Sequence, residues 1–312
     1  MENLIISFNV VLPLFLCMAL GYFLKRIKLY DDATLKTINK LVFKVFLPIY
    51  LFKSVYSTDL SAAFNGKLIL FAVIGLVAWF LLLMLIVPMM EKENSKRGVM
   101  VQAMFRSNFV LYGLPVATSL CGEENIGATS LLIGIVVPIF NVLAVITLET
   151  FRGGKPSVKK MAKGIATNPL IIASVIGIAF YFLNIKLPSA VEKTVTDLSR
   201  VATPLALVAL GGEFKFSKIK GNLRQLIISV IGKLVVSPLI IVAVGIMLGF
   251  RDETLVPVLL MSGAPAAVSS YTMAQQMGGD GELAGEIVIF TTGISILTIF
   301  LWVFGLKQLG FI

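Results

Sequence analysis

Two short runs of glycine and proline stand inside otherwise apolar segments, at Gly113–Pro115 (Gly-Leu-Pro) and Gly263–Pro265 (Gly-Ala-Pro). Proline lacks a backbone N–H, clashes with the carbonyl four residues back, and disfavours helical geometry in the residue before it. Each run therefore predicts an interrupted helix. The N–H groups that begin the second half of such a helix carry partial positive charge, so they bind anions without any charged side chain.

The expected donors lie near Val116–Thr118 and near Ala266–Val268. Asn108 precedes the first interruption, and its amide can orient a carboxylate or a carbonyl because it both donates and accepts hydrogen bonds. Asn141 and Ser269 are further polar candidates, although each alone is more typical of a hydrogen bond between packed helices. The predicted substrate site consists of Asn108, Gly113, Pro115, Val116, Asn141, Gly263, Pro265, Ala266 and Ser269.

Ionisable residues in or near the apolar segments are costly and usually functional. Arg106 and Glu286 fall near predicted helix ends, where long side chains reach the interface, whereas Lys233 lies deeper. The sequence leaves open whether these residues or Asp197 take part in binding. Since the two glycine–proline runs supply no cationic side chain, we expect the helix ends and Asn108 to hold an anion by themselves.

The elements that must position these residues are membrane helices. Of the 312 residues, 57% are hydrophobic and 14% are charged, and the mean hydropathy is +0.94. A soluble domain does not carry such an excess of apolar residues. A crossing helix needs about 20 apolar residues, so ten spans use most of the chain. The predicted spans are residues 4–24, 41–56, 68–90, 99–120, 126–148, 169–183, 191–211, 226–248, 255–274 and 287–305.

The two halves of the chain share the placement of glycine and proline. When the second half of the sequence is aligned with the first, the matching positions are Pro13 with Pro169, Gly21 with Gly177, Pro48 with Pro204 and Gly113–Pro115 with Gly263–Pro265. Coincidence is the alternative, because both residues are frequent in membrane helices. We predict an all-α integral membrane fold of two inverted five-helix repeats, residues 1–150 and 165–312, joined by a cytoplasmic linker, 151–164. The broken helices four and nine cross, as in many secondary transporters.

Basic residues alternate between the two sides of this arrangement. Most fall after the first, third, fifth and seventh spans: Lys25, Arg26, Lys28, Lys36, Lys40, Lys92, Lys96, Arg97, Arg152, Lys155, Lys159, Lys160, Lys163, Lys215, Lys218, Lys220 and Arg224. Basic connections stay cytoplasmic, so both termini are expected outside the plasma (inner) membrane. This topology explains the net charge of +10 without nucleic acid. Histidine is absent and the two cysteines form no motif, so we expect no metal and no cofactor.

Four segments together resemble the auxin efflux carrier family, which includes plant auxin exporters and bacterial malate and malonate permeases. They are Asn108–Pro115 (N-x-x-x-x-G-x-P), Gly263–Ser270 (GAPAAVSS), Asn168-Pro169 and Leu148–Arg152. The resemblance implies a fold like that of the bile-acid sodium symporters, with a scaffold of spans 1, 2, 6 and 7 and a transport domain of spans 3–5 and 8–10. It also implies a homodimer, elevator-type motion, and a site that includes Asn108 and Pro265.

We therefore expect a secondary transporter that moves a small organic anion, a carboxylate or dicarboxylate, across the lipid bilayer by alternating access. The alternatives are a carrier of another small solute, such as an amino acid or a neutral aromatic compound, and a membrane receptor or channel. No HExxH motif, paired aspartates or nucleophile with a base indicates an enzyme. Coupling to protons or sodium, the exact substrate and the direction of transport stay open.

The bias in basic residues generates a prediction about topology. In a chain whose Cys17 and Cys121 are replaced by serine, an impermeant thiol reagent added to intact cells should label Gly122→Cys but not Lys159→Cys. Permeabilised cells, in which both cysteines should react, provide the control. The opposite labelling pattern in intact cells would contradict the predicted orientation.

Overall fold

A computed structural model of the chain describes residues 2–57, 65–153, 158–214 and 219–312. These residues form helices joined by short connections, and no strand occurs among them. In chain order the helices are α1 (Glu2–Arg26), α2 (Asp32–Leu41), α3 (Leu47–Tyr56), α4 (Gly66–Met90), α5 (Asn94–Phe105), α6 (Leu114–Cys121), α7 (Gly127–Thr150), α8 (Val158–Ala166), α9 (Pro169–Phe182), α10 (Ser189–Glu213), α11 (Ile219–Ile231), α12 (Ser237–Met247), α13 (Asp252–Gly263), α14 (Val268–Met277) and α15 (Gly281–Gln308).

The predicted helical class is confirmed, and each predicted span falls on helix. Within the described ranges, five helices are long and apolar enough to cross a membrane: Phe8–Arg26, Gly66–Met90, Gly127–Thr150, Gly221–Met247 and Gly281–Gln308. The count of ten crossings and their inverted relation stay predictions. Helix α8 occupies much of the predicted linker, of which residues 154–157 lie outside the described residues, as do Lys215 and Lys218.

Three prolines are accommodated by π-helical turns rather than by breaks. The turns Val42–Phe46, Phe109–Gly113 and Gly232–Val236 precede Pro48, Pro115 and Pro238. At the end of each turn a backbone N–H reaches the carbonyl five residues back, as from Leu114 to Phe109. The extra residue in the turn relieves the clash that proline would cause in a regular α-helix.

The prediction of a break at Gly113–Pro115 is therefore wrong in its position. The helix runs without interruption from Phe109 to Cys121, because the π-helical turn absorbs the effect of Pro115. The predicted donors at Val116–Thr118 lie inside this continuous helix, where backbone N–H groups bond to the preceding turn. The interruption of the fourth span lies upstream, at residues 106–108.

The helices pack in two groups. In one group, α10 packs against α1, α2 and α3, and α3 packs against α9; helices α4 to α7 form the second group with α11 to α15. The groups meet at several contacts, among them those of α1 with α15, of α10 with α14, and of α7 with α3 and α9. Apolar side chains of α1 and α9 stay exposed, among them Leu16, Phe23 and Phe182, which suits contact with lipid or with another apolar surface.

Two glycines allow the backbones of α1 and α10 to touch. A Cβ atom at Gly21 would collide with the carbonyl oxygen of Val208, and one at Gly211 would collide with that of Met18. Small residues at such contacts allow membrane helices to pack closely. Since the obstructing atoms belong to the partner backbone, rotation of a side chain cannot relieve the collision.

This contact generates a prediction about stability. Gly211→Val should separate α1 from α10 and cost at least the roughly 1–3 kcal/mol typical of overpacking, which lowers the melting temperature measured by fluorescence-detected size-exclusion chromatography. Gly75→Val is the matched control, because no atom lies within 4 Å of a Cβ built there. Equal melting temperatures for the two variants would contradict the account of this interface.

Candidate functional site

Two interrupted helices cross in the middle of the second helix group. Helix α5 ends at Phe105 and α13 ends at Gly263, and an extended segment follows each of them. The Asn108 N–H donates to the Pro265 carbonyl at 2.7 Å, and Ser107 forms an isolated antiparallel bridge with Ala266. Each extended segment thus satisfies backbone groups of the other where no helix does so.

The second interruption lies where the sequence predicts it. Ala264 has φ −63° and ψ 153°, the extended geometry that the following Pro265 favours. The Ala266 N–H, one of the predicted donors, bonds to the Thr291 hydroxyl at 3.2 Å, so it is already occupied. The next helix, α14, begins at Val268.

A narrow cavity with an open mouth lies beside the crossing. The first turns after both interruptions line it, with residues 108–111 on one side and 267–269 on the other. The N–H groups of Phe109, Val110 and Leu111 precede the first intrahelical bond, which runs from Tyr112 to Asn108. Residues from two helix starts therefore line one space, and the N–H groups of a first helical turn, which have no partner within their helix, favour an anion.

Asn108 contributes a buried amide to this cavity. Its side chain is 5% exposed, and within the described part of the chain its Nδ2 atom has no hydrogen-bond partner. A buried donor without a partner costs about 1–3 kcal/mol, so native structures rarely keep one without a role. The position of the amide at the cavity wall suits a ligand that accepts this hydrogen bond.

Arg106 places a cation on the same wall. It is 4% exposed, and its guanidinium donates to the Asn141 side-chain oxygen at 2.5 Å and to the Met273 sulfur at 2.8 Å. Among the described residues it forms no salt bridge, and none of the residues that line the cavity is acidic. A buried cation without a counter-charge is costly, and a bound anion would remove this cost.

The structure brings some of the predicted site residues together and separates others from them. Asn108 and Ser269 line the cavity, whereas Gly263, Pro265 and Ala266 form the crossing. Asn141 is fully buried behind Arg106, which it anchors. Gly113, Pro115 and Val116 lie further along the continuous helix and do not line the cavity.

Several polar residues that line the cavity are not part of the predicted site, among them Arg106, which the sequence left open, and Tyr50 and Thr203, which it did not indicate. Arg106 carried a signal, since a charge two residues before Asn108 in an apolar segment is unusual. Tyr50 and Thr203 come from α3 and α10, so only the packing of the two helix groups identifies them. Asp197 and Glu286 do not line this cavity.

The chain is similar in sequence to known transporters. A family model described as "Membrane transport protein" matches residues 6–164 and 155–303. An uncharacterized transporter of Methanocaldococcus jannaschii is 25% identical over 310 residues, 95% of this chain and 98% of the relative. A putative malonate transporter of Rhizobium meliloti is 24% identical over 298 residues, 93% of each chain.

A probable auxin efflux carrier component of rice, Oryza sativa, is 27% identical over 153 residues, which cover 46% of this chain and 42% of the relative. The resemblance to auxin efflux carriers that the sequence motifs indicated is thus confirmed. The apolar helices and the family match together indicate a multi-pass membrane protein. The chain belongs to the family of membrane transport proteins that includes the auxin efflux carriers.

Proposed function

We propose that this chain is a secondary carrier of small organic anions, with a carboxylate or dicarboxylate as its substrate. The observation that carries the proposal is Arg106, a buried guanidinium at the wall of a cavity whose lining, all of it described, includes no acidic residue. Guanidinium groups bind carboxylates through two parallel hydrogen bonds. A carboxylate at this wall would supply the missing counter-charge.

The other polar groups of the cavity support the same substrate class. The unpartnered Nδ2 of Asn108 can donate to a carboxylate oxygen, and so can the N–H groups at the starts of the two helices. Arg106 and Asn108 are themselves buried, which reduces the screening of their polar groups by water. A dicarboxylate fits better than a monocarboxylate, since Arg106 can take one end and the helix starts can take the other.

The composition of the cavity disfavours the alternative substrates. The described lining residues include no carboxylate that could pair with the ammonium group of an amino acid. A neutral aromatic compound would leave the charge of Arg106 uncompensated. The relative described as a putative malonate transporter supports a carrier of small dicarboxylates rather than a receptor or channel.

We further propose that transport follows an elevator mechanism, with ten spans in two inverted repeats. The group of α1, α2, α3, α9 and α10 would be the scaffold, and the group that contains the crossing would move. The cavity supports this division because both groups line it: Leu47, Tyr50, Leu170 and Thr203 come from the first group, and Arg106 and Asn108 from the second. Motion between the groups would open the cavity to alternate sides of the membrane.

Orientation and assembly complete the proposal. The basic connections would face the cytoplasm and both termini the outside of the plasma membrane. A second copy of the chain would pack against the exposed apolar side chains of the scaffold, such as Leu16 and Phe182. An apolar face on a stationary scaffold is suited to a homodimer interface.

The cavity generates a prediction about binding. Asn108→Ala should weaken malonate binding by roughly 1–3 kcal/mol, the usual cost of one lost partner in a buried polar contact. Arg106→Gln should weaken it further, because the counter-charge of the substrate is lost. Asn108→Asp should bind less well than Asn108→Ala when ionised, since it sets a second carboxylate against the first. Scintillation proximity with radiolabelled malonate measures these affinities.

Matched controls separate binding from folding. Asn125→Ala and Arg200→Gln change exposed residues of the same types, so their affinities should equal that of the wild type. Each variant is used only after it elutes as a monodisperse peak in size-exclusion chromatography. Wild-type affinity in Arg106→Gln, or in Asn108→Asp, would contradict the anion proposal.

A further inference from the structure

A second buried cation lies behind the crossing, away from the substrate cavity. Lys233 is fully buried in the π-helical turn Gly232–Val236. Its Nζ atom donates to the Ser107 hydroxyl oxygen and to the Ser262 carbonyl, the latter at 3.0 Å. It does not line the cavity, so the proposed substrate site makes no use of it.

The hydrogen-bond directions define an oxygen-lined cation site. The Ser107 hydroxyl donates its proton to the Met261 carbonyl, so its oxygen accepts from Lys233. The Ser262 hydroxyl donates to the Val258 carbonyl at 2.8 Å, and the Ser262 backbone carbonyl accepts from Lys233. Among the described residues, both hydrogen-bond partners of the ammonium are thus oxygen acceptors.

The helix geometry adds to this polarity. Helix α13 ends at Gly263, so the carbonyls of Met261 and Ser262 belong to its last turn, which carries a partial negative charge. In transporters with interrupted helices, such C-terminal ends and unwound carbonyls coordinate the coupling cation. The crossing therefore has an anion-binding face, with the helix starts, and a cation-binding face, with the end of α13.

We propose that the Lys233 ammonium is the resident cation of the crossing, held where a coupling ion such as Na⁺ would otherwise bind. The side chain reaches both interrupted segments, Ser107 on one and Ser262 on the other. The side chain thereby links the two interrupted segments through a positive charge that belongs to the protein itself. The crossing needs no inorganic cation at this position.

The test is chemical replacement of the ammonium. Purified wild type, Lys233→Ala and the control Lys53→Ala are melted in N-methylglucamine, sodium, potassium or methylammonium chloride at equal ionic strength. Lys53 is a partly buried lysine paired with Glu192 at 3.0 Å, outside the crossing. The melting temperature of the wild type should be the same in all four salts.

In N-methylglucamine, Lys233→Ala should melt at a lower temperature than the wild type. Methylammonium should restore part of this loss in a saturable manner, because a ligand that binds only the folded state stabilises it. Lys53→Ala should show no selective recovery. The proposal is supported if the melting temperature of Lys233→Ala, and of no other variant, rises with methylammonium concentration and reaches a plateau. The absence of any selective recovery in folded Lys233→Ala, or a selective stabilisation of the wild type by Na⁺, would overturn it.

A second variant covers the case in which Lys233→Ala does not fold. Lys233→Met keeps a long side chain without the charge, and it should melt below the wild type in every salt. A wild-type melting temperature for Lys233→Met would overturn the proposal. These measurements need no substrate, so a result against the Lys233 proposal does not contradict the anion proposal. Likewise, wild-type affinity in Arg106→Gln would contradict the anion proposal but not the Lys233 proposal.

Discussion

The structure depends on one constraint, which is that backbone groups freed inside a membrane must find partners within the protein. Two interrupted helices lie side by side, and the bond from Asn108 to the Pro265 carbonyl and the bridge between Ser107 and Ala266 satisfy groups on both segments. Each interruption gains backbone partners from the other. The crossing therefore fixes where the helix starts lie, where the end of α13 lies, and which side chains stand beside them.

Charge is distributed around this crossing in a consistent way. Arg106 stands at the cavity with the helix starts, while Lys233 stands behind it at the end of α13. Within the described residues neither forms a salt bridge, and each is held by neutral acceptors instead. Burial of two such charges is expensive. The described lining of the cavity supplies no carboxylate that would compete with a bound anion, which agrees with the proposed substrate class.

Local signals in the sequence were sufficient for much of the fold. Apolar runs located the helices because hydropathy and length dominate in a membrane, and Pro265 located one interruption because its steric effect is local. The other interruption has no proline. Residues 106–108 are held extended by backbone pairing with a segment more than 150 positions away in the chain, so no local pattern indicates it. Pro115, which suggested a break, is absorbed by a π-helical turn.

The site was predictable to a similar degree. Asn108 and Ser269 were predicted because polar residues near an interrupted helix are candidates for ligand binding. The direction in which Arg106 points follows only from the packing of α5 against its neighbours. Tyr50 and Thr203 belong to the other helix group and carry no sequence signal of their own. The division into scaffold and moving group, the dimer and the inverted repeats still rest on the family resemblance and on the observed packing.

The central claim is that the cavity selects its ligand by negative charge, and a series of nearly isosteric competitors tests this claim most directly. Malonate, its monoamide and its diamide carry two, one and no negative charges on closely similar skeletons. In proteoliposomes that contain the purified protein, they should inhibit uptake of radiolabelled malonate in that order, with the diamide inactive. Equal inhibition by the neutral diamide would contradict the account.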